Sequence, residues 1–234
     1  MRWLDTEAVP VGRRRLGGAD RLVTLLTPGH GRLAAVARGA CLPRNRFGSA
    51  LEPFGVCRVV LSPTRGGGLY RAESADPVRR LPRLWADLAR CQAAGLMCAW
   101  ARALSREEPG PERYALLKAC LEALEDPAGR PAPVAAAFLW RLAGLSGVGP
   151  RLDACVACGR DRPPVALRLD PGGTVCGACR ASADVPLEPA LAEGLARAGD
   201  PAGPVDPPLD DAAGRRLAAL AQGYLRAHFG RELP

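Results

Sequence analysis

The chain has one lysine, two histidines and few aromatic residues, and each scarcity closes off some chemistry. Lys118 follows Leu116-Leu117 and not a glycine, so no Gly-Lys-Ser/Thr loop is available to cradle phosphates. A P-loop ATPase is thereby excluded. His30 lies in Pro28-Gly29-His30-Gly31, a tight-turn sequence, and His228 lies near the end of the sequence. A histidine-based triad or a multi-histidine metal centre has almost nothing to draw on. Long apolar runs are also missing. The longest uncharged stretch, Cys91 to Ala101, falls far short of the ~20 residues a membrane-spanning helix needs. The start, Met1-Arg2-Trp3-Leu4-Asp5, carries charges where a secretory signal needs an apolar core, so a cytoplasmic location is expected.

What the chain has is arginine. Of 32 basic side chains 31 are arginine, against 24 acids, for a net charge of +8 over 234 residues. The excess is not spread evenly. Residues 1–80 hold 14 arginines and 6 acids, a net of +8, whereas residues 81–234 hold 18 of each sign. A basic excess confined to one third of the chain points to an anionic partner such as nucleic acid or a membrane surface.

That third also has its own local pattern. Short apolar runs at about Ala8–Arg14, Arg21–Thr27, Arg32–Arg38, Phe54–Leu61 and Leu69–Glu73 alternate with Gly- and Pro-rich turns. Five short strands in so few residues suggest a small closed or partly open barrel, of which the oligonucleotide-binding (OB) barrel is one five-stranded form. Phe54 reads as barrel core. Two basic clusters stand out: Arg13-Arg14-Arg15 at the end of the first strand, and Arg38 to Ser49, which carries Arg38, Arg44, Asn45, Arg46 and Phe47. Arginine forks suit phosphate oxygens, and Phe47 offers a face for a base to stack on. With aromatics so few, binding is expected to be led by the phosphate backbone and to tolerate sequence.

After Pro77 the period becomes helical. Leu84, Leu88, Cys91, Gly95 and Cys98 recur at 4-3-4-3 spacing, one face of a helix. Gly110-Pro111 opens a second helix with Leu117, Leu121 and Leu124 on its apolar face. A third runs from about Val134 through Phe138, Leu142 and Leu145 to Gly147, and a last starts near Asp210-Asp211. Part of Ser182–Pro208 is helical around Pro189–Ala198, and the rest is loop.

Nine cysteines are present, and four form Cys155-x2-Cys158 and Cys176-x2-Cys179, with 17 residues between the pairs. This is the spacing of a four-thiolate zinc site. Four thiolates complete the tetrahedron and leave no position for substrate, so one structural Zn²⁺ is expected, clipping a segment with little core of its own. Arg160, Arg162, Arg168 and Arg180 decorate the segment and are nearly cancelled by Asp153, Asp161 and Asp170. Cys57, Cys91 and Cys98 read as small core residues, and Cys41 as an exposed one.

Taken in order, these features resemble the RecO family of bacterial recombination and repair proteins. The likeness is carried by Asp20 to Pro28, Gly31-Arg32-Leu33, Ala37-Arg38-Gly39-Ala40, Arg44-Asn45-Arg46-Phe47-Gly48 and Leu51-Glu52-Pro53-Phe54. It continues through Gly68-Leu69-Tyr70, Phe138 to Leu145, the two cysteine pairs and Tyr224 to His228. Departures fall at Gly17-Gly18-Ala19-Asp20, where relatives often have Gly-Glu-Ser-Asp, and in the basic loop, which commonly carries lysine.

The resemblance implies an α+β architecture: an OB barrel over 1–77, a helical domain over 78–150 and 183–234, and a zinc module inserted at 151–182. It implies binding of single- and double-stranded DNA, with Arg32 joining the basic clusters, and annealing of complementary strands. It also implies action with RecR to load RecA onto DNA coated by single-stranded DNA-binding protein (SSB). No catalytic role is expected. The competing readings are a protein-interaction adaptor centred on the helical domain, and a metal-dependent nuclease using Glu107-Glu108 or Asp210-Asp211.

Overall fold

The computed structural model describes residues 3–230 and 232–234. The chain divides into two compact units, residues 1–127 and 128–234.

The first unit is built on five strands: β1 (Leu4–Leu16), β2 (Asp20–Thr27), β3 (Gly31–Ala37), β4 (Val56–Pro63) and β5 (Tyr70–Arg79). They close into a barrel of order β1-β2-β3-β5-β4, with β3 and β5 parallel and the other pairs antiparallel. This is the five-stranded OB-type arrangement. Closure depends on β1 serving two neighbours. Its first half pairs with β4 (Leu4↔Leu61 to Ala8↔Cys57) and its second half with β2 (Val9↔Leu26 to Leu16↔Asp20). A bulge between Pro10 and Gly12 bends the strand where it changes partner. Pro10 lacks an N–H and suits such a site.

Side chains alternate across the strands, as a half-buried barrel requires. In β3, Leu33, Ala35 and Ala37 point inward with Val23, Leu25, Val59, Leu61 and Ala72. The segment from Arg38 to Gly55 is a chain of turns, and it drives Phe47, Ala50 and Leu51 into the same core. β5 runs on through Pro77 to Arg79, beyond the Leu69–Glu73 expected from the sequence, because register shifts against β4 absorb a residue with no N–H.

Three helices complete this unit: α1 (Pro82–Ala86), α2 (Leu88–Leu104) and α3 (Pro111–Glu125). The single stripe expected from Leu84 to Cys98 is broken at Asp87, whose carboxylate caps α2 by accepting from Arg90 N–H at 2.9 Å. The break rotates the face that is buried. Ala93, Ala94, Met97, Cys98, Trp100 and Ala101 go inside, and Leu88 is 74% exposed. α3 meets the barrel through Glu7 of β1, which accepts from Tyr114 Oη at 2.8 Å and from the lone lysine, Lys118, at 3.1 Å. Those two partners lower the Glu7 pKa below its ordinary value. The β2–β3 turn is held by backbone bonds from Arg32 N–H to Arg106 and from Gly110 N–H to Pro28. Gly31 is required there: its φ is +63°, and a Cβ would come within 2.2 Å of the Arg106 and Glu108 carbonyls.

The second unit centres on α4 (Pro131–Leu145), buried on nearly every side from Pro133 to Ala143. α5 (Pro189–Gly199) and α6 (Asp211–Phe229) pack on it. Gly214 lets α6 approach closely, since a Cβ would meet Pro133 N at 2.6 Å. Trp140 donates its indole N–H to the Leu217 carbonyl at 3.2 Å. The Pro-rich connection between α5 and α6 is fixed by two arginines. Arg141, buried in α4, donates to the Ala198 and Pro204 carbonyls, and Arg130 donates to Leu209, Pro207 and Asp206. Between α4 and α5 lies a small sheet of β6 (Pro164–Arg168), β7 (Gly173–Cys176) and β8 (Val185–Pro186), in the order β7-β6-β8.

Candidate nucleic-acid interface and metal centre

The two basic clusters form two separate clefts on the barrel unit. The first is lined by Arg13, Arg14, Arg15, Arg21 and Cys41. The β1–β2 hairpin supplies its arginines: Arg15 lies opposite Arg21, and Arg13 opposite Val23. Glu52 holds this group together, bonded to Arg13 and, at 2.8 Å, to Arg21. Cys41, half-buried and not fully exposed as expected, donates its thiol to the Asp20 carbonyl at 3.3 Å. Desolvation alone would raise its pKa, but Arg15 and Arg21 outweigh that and lower it.

The second cleft is lined by Arg38, Leu42, Arg44, Asn45, Arg46, Arg71 and Glu73. Three expected DNA-contacting residues do structural work here or nearby. Phe47 is 2% exposed, inside the barrel core, with the Arg46 guanidinium 4.9 Å from its ring centroid. It is therefore no stacking platform. It anchors the loop, because burying the aromatic body outweighs leaving it in water. Asn45 closes the loop on itself, accepting from Phe47 N–H at 3.0 Å and donating to the Leu42 carbonyl at 3.1 Å. Arg32 is half-buried and donates to the Arg102 carbonyl at the end of α2, at 2.8 Å.

Arg14, Arg38 and Arg44 are exposed and make no hydrogen bond or ion pair among the described residues. Arg46 has one bond, to the Ala72 carbonyl at 3.2 Å. Sequence reasoning missed Arg21 and Arg71. Arg71 reaches the second cleft through the parallel β3–β5 pairing, in which it lies opposite Val36. That pairing joins strands far apart in sequence and leaves no local signal. Phe54, read as core, is half-buried with φ +77°, and its ring lies 5.0 Å from that of Trp85.

The four expected metal ligands converge. The sulfurs of Cys155, Cys158, Cys176 and Cys179 all lie within 4.8 Å of one another, and Cys158 and Cys176 are 4.0 Å apart. A zinc ion bound at ~2.3 Å would space its sulfurs by about 3.8 Å, close to this arrangement. Each pair sits on a knuckle. Gly159 N–H bonds the Cys155 carbonyl at 2.8 Å, and Cys179 N–H bonds the Cys176 carbonyl at 3.0 Å. Gly159 takes φ +69°, which favours glycine at the first knuckle.

The Cys176 N–H points at the Cys155 sulfur at 3.5 Å, and such amides lower that thiol to about 6. The sulfurs of Cys158 and Cys176 push Cys179 up to about 12. Four thiols this close cannot all ionise without a cation, and a divalent ion removes that conflict. Apart from the cysteines, the module's apolar cluster is small: Ala166 and Val175, with Val156 and Val165 at its edge. Arg168, expected on the module's surface, is engaged with the buried Asp184 through two 2.8 Å bonds and with the Cys179 carbonyl at 3.0 Å. The Arg168 guanidinium holds Asp184 down to about 2.

Comparison with known proteins gives one consistent result. Residues 1–81 match the family model described as recombination protein O N terminal, and residues 86–234 match recombination protein O C terminal. The DNA repair protein RecO of Anaeromyxobacter dehalogenans (strain 2CP-C) is 38% identical over 226 residues, covering 93% of this chain and 88% of that protein. The DNA repair protein RecO of Myxococcus xanthus is 37% identical over 238 residues, covering 98% and 93%. That of Rubrobacter xylanophilus is 35% identical over 216 residues, covering 92% and 86%.

Proposed function

The chain belongs to the recombination protein O (RecO) family of DNA repair proteins, and from that premise we propose that its two arginine clefts bind DNA. The ligand is single-stranded or double-stranded DNA, held mainly through phosphates. The observation that carries this reading is the pair of clefts themselves. Seven of their arginines come from β1, β2 and the loop after β3, and the loop is anchored by its own Phe47. A loop fixed before binding loses little freedom on contact. Arg14, Arg15, Arg38 and Arg44 are the principal contacts, with Arg13, Arg21, Arg46 and Arg71 at the edges.

Annealing follows from the same charge. Neutralised phosphates let two complementary strands approach, and released counterions supply much of the affinity. The family resemblance adds the partners: RecR, and the loading of RecA onto SSB-coated strands, in the cytoplasm. The four cysteines hold one structural zinc, which orders the module around 151–182. Among the described residues they are the group of three or more metal-binding side chains that converges. Of the two carboxylate pairs weighed for a nuclease, Asp210-Asp211 has another role: Asp210 caps α6 and Asp211 pairs with Arg215 at 3.7 Å. We therefore read the protein as a mediator without catalytic chemistry.

Equilibrium binding of a labelled single strand across a salt series tests this. Five phosphate contacts give a slope of log affinity on log salt near −3.5, so a fourfold rise in salt weakens binding about 100-fold. A flat salt response would refute the reading.

A further inference from the structure

Next to the first arginine cleft the barrel unit has a third cleft, of about 360 Å³, with apolar walls and a basic rim. That size is at the small end for ligand sites and has room for one nucleobase. Pro53, Pro77 and Pro82 make its sides stiff, and the indole of Trp85, 48% exposed, lies along it. Arg79 and Arg80 stand at the rim and are exposed. Arg80 makes no ion pair among the described residues. Arg79 has one with Glu122 at 3.3 Å, open to solvent and hence weak. The one acid on the wall is Glu52, already held by Arg13 and Arg21. The cleft thus adjoins the first arginine cleft through a shared, neutralised carboxylate.

Phe54 explains why Trp85 stands where it does. The two ring centroids are 5.0 Å apart at 39°. Phe54 is the one non-glycine among the described residues with φ in the left-handed region, at +77°. A bulky side chain is strained there, and a glycine would not be. The Phe54 N–H is tied to the Pro10 carbonyl at the β1 bulge. What the strained residue accomplishes is to set a ring against the indole and limit how it can turn. Local strain of this kind gathers at ligand-holding positions.

We propose that this cleft takes one unpaired base of a single-stranded nucleic acid, stacked on Trp85, with the flanking phosphates on Arg79 and Arg80. This rests on the DNA-binding reading above and extends it from phosphates to a base. An aromatic face with arginines beside it is what sequence-tolerant single-strand binding uses, because every base has a π-face. Phe54 is a positioning residue that acts through Trp85. A duplex hides its base faces, so the cleft favours single strands.

The test compares the full-length protein with Trp85→Ala and Trp85→Phe on three probes of equal length: oligothymidylate, the same backbone without bases, and a blunt duplex. Thermal unfolding checks that each variant is folded. Trp85→Ala weakens oligothymidylate binding about tenfold, the size of one lost stacked base. Trp85→Phe restores most of it, and neither change alters the abasic strand or the duplex. Equal loss on all three probes overturns the proposal, as does no loss on any. Displacement of a short acidic peptide from the cleft, with oligothymidylate affinity unchanged in Trp85→Ala, also overturns it and makes the cleft a protein-docking site. If the unaltered protein binds none of the probes at low salt, the DNA-binding reading itself fails.

Discussion

The barrel and the cysteine module achieve order by different means. The barrel is closed and filled by alternating side chains from five strands, with Phe47 and Leu51 brought in from a loop. The module has three short strands and a cluster of four buried residues, two of which are the cysteines Cys155 and Cys176. A filled core frees the barrel's surface to carry unpaired arginines such as Arg14, Arg38 and Arg44, whose mutual repulsion the core can withstand. The module has no such reserve. Its most favourably placed arginine, Arg168, is engaged internally with Asp184 and the Cys179 carbonyl. A segment with a small core leans on its converging cysteines and on buried polar pairs, and its surface charge does not build up.

The largest expected effect therefore falls on the module. Cys155→Ser with Cys176→Ser abolishes zinc binding, whose contribution in comparable sites is roughly 10 kcal/mol. Metal analysis should fall from one equivalent to none, and limited proteolysis should cut within 151–182 while leaving 3–79 intact. Cleavage of the barrel at the same rate would break the comparison.

The converse change sharpens it. Leu25 is fully buried in the barrel, and Leu25→Ala should cost about 3 kcal/mol in denaturant unfolding. Zinc content should stay at one equivalent. Next in size is a loss on DNA. On the proposed binding mode Arg44→Ala with Arg46→Ala would remove two phosphate contacts, so the salt slope should become less negative by about 1.4, alike for every sequence tested. A sequence-dependent loss would mean base reading in the loop.

The smallest effect is in acid. Asp184 is held at about 2 by Arg168, below its unfolded value of roughly 3.9. Its contribution is complete above that unfolded value and is lost as pH falls toward 2. The stability difference between the unaltered protein and Asp184→Asn should be present at pH 6 and shrink between pH 4 and pH 2. A difference constant over that range would assign the residue a packing role only.

Much of this was legible in the sequence, for physical reasons. Short apolar runs between Gly- and Pro-rich turns mark the strands, Asp210 and Gly110-Pro111 mark helix starts, and a cysteine spacing survives any packing. The rest depended on tertiary contacts. Phe47 sits in an aperiodic loop, so nothing local separates a stacking ring from an anchoring one. Leu88 fits the helical stripe, but the Asp87 cap turns it outward. Arg71 joins the second cleft through a parallel pairing between distant strands. The arginine types were readable; which of them are free was not, because Glu52, Arg102 and Asp184 claim theirs across 31, 70 and 16 residues.

The most direct test of the central claim is annealing of two complementary oligonucleotides by the full-length protein, without nucleotide, across a salt series. The account predicts acceleration that falls steeply with salt and is reduced in Arg44→Ala with Arg46→Ala. Acceleration indifferent to salt and to those arginines, or none at all, would contradict it.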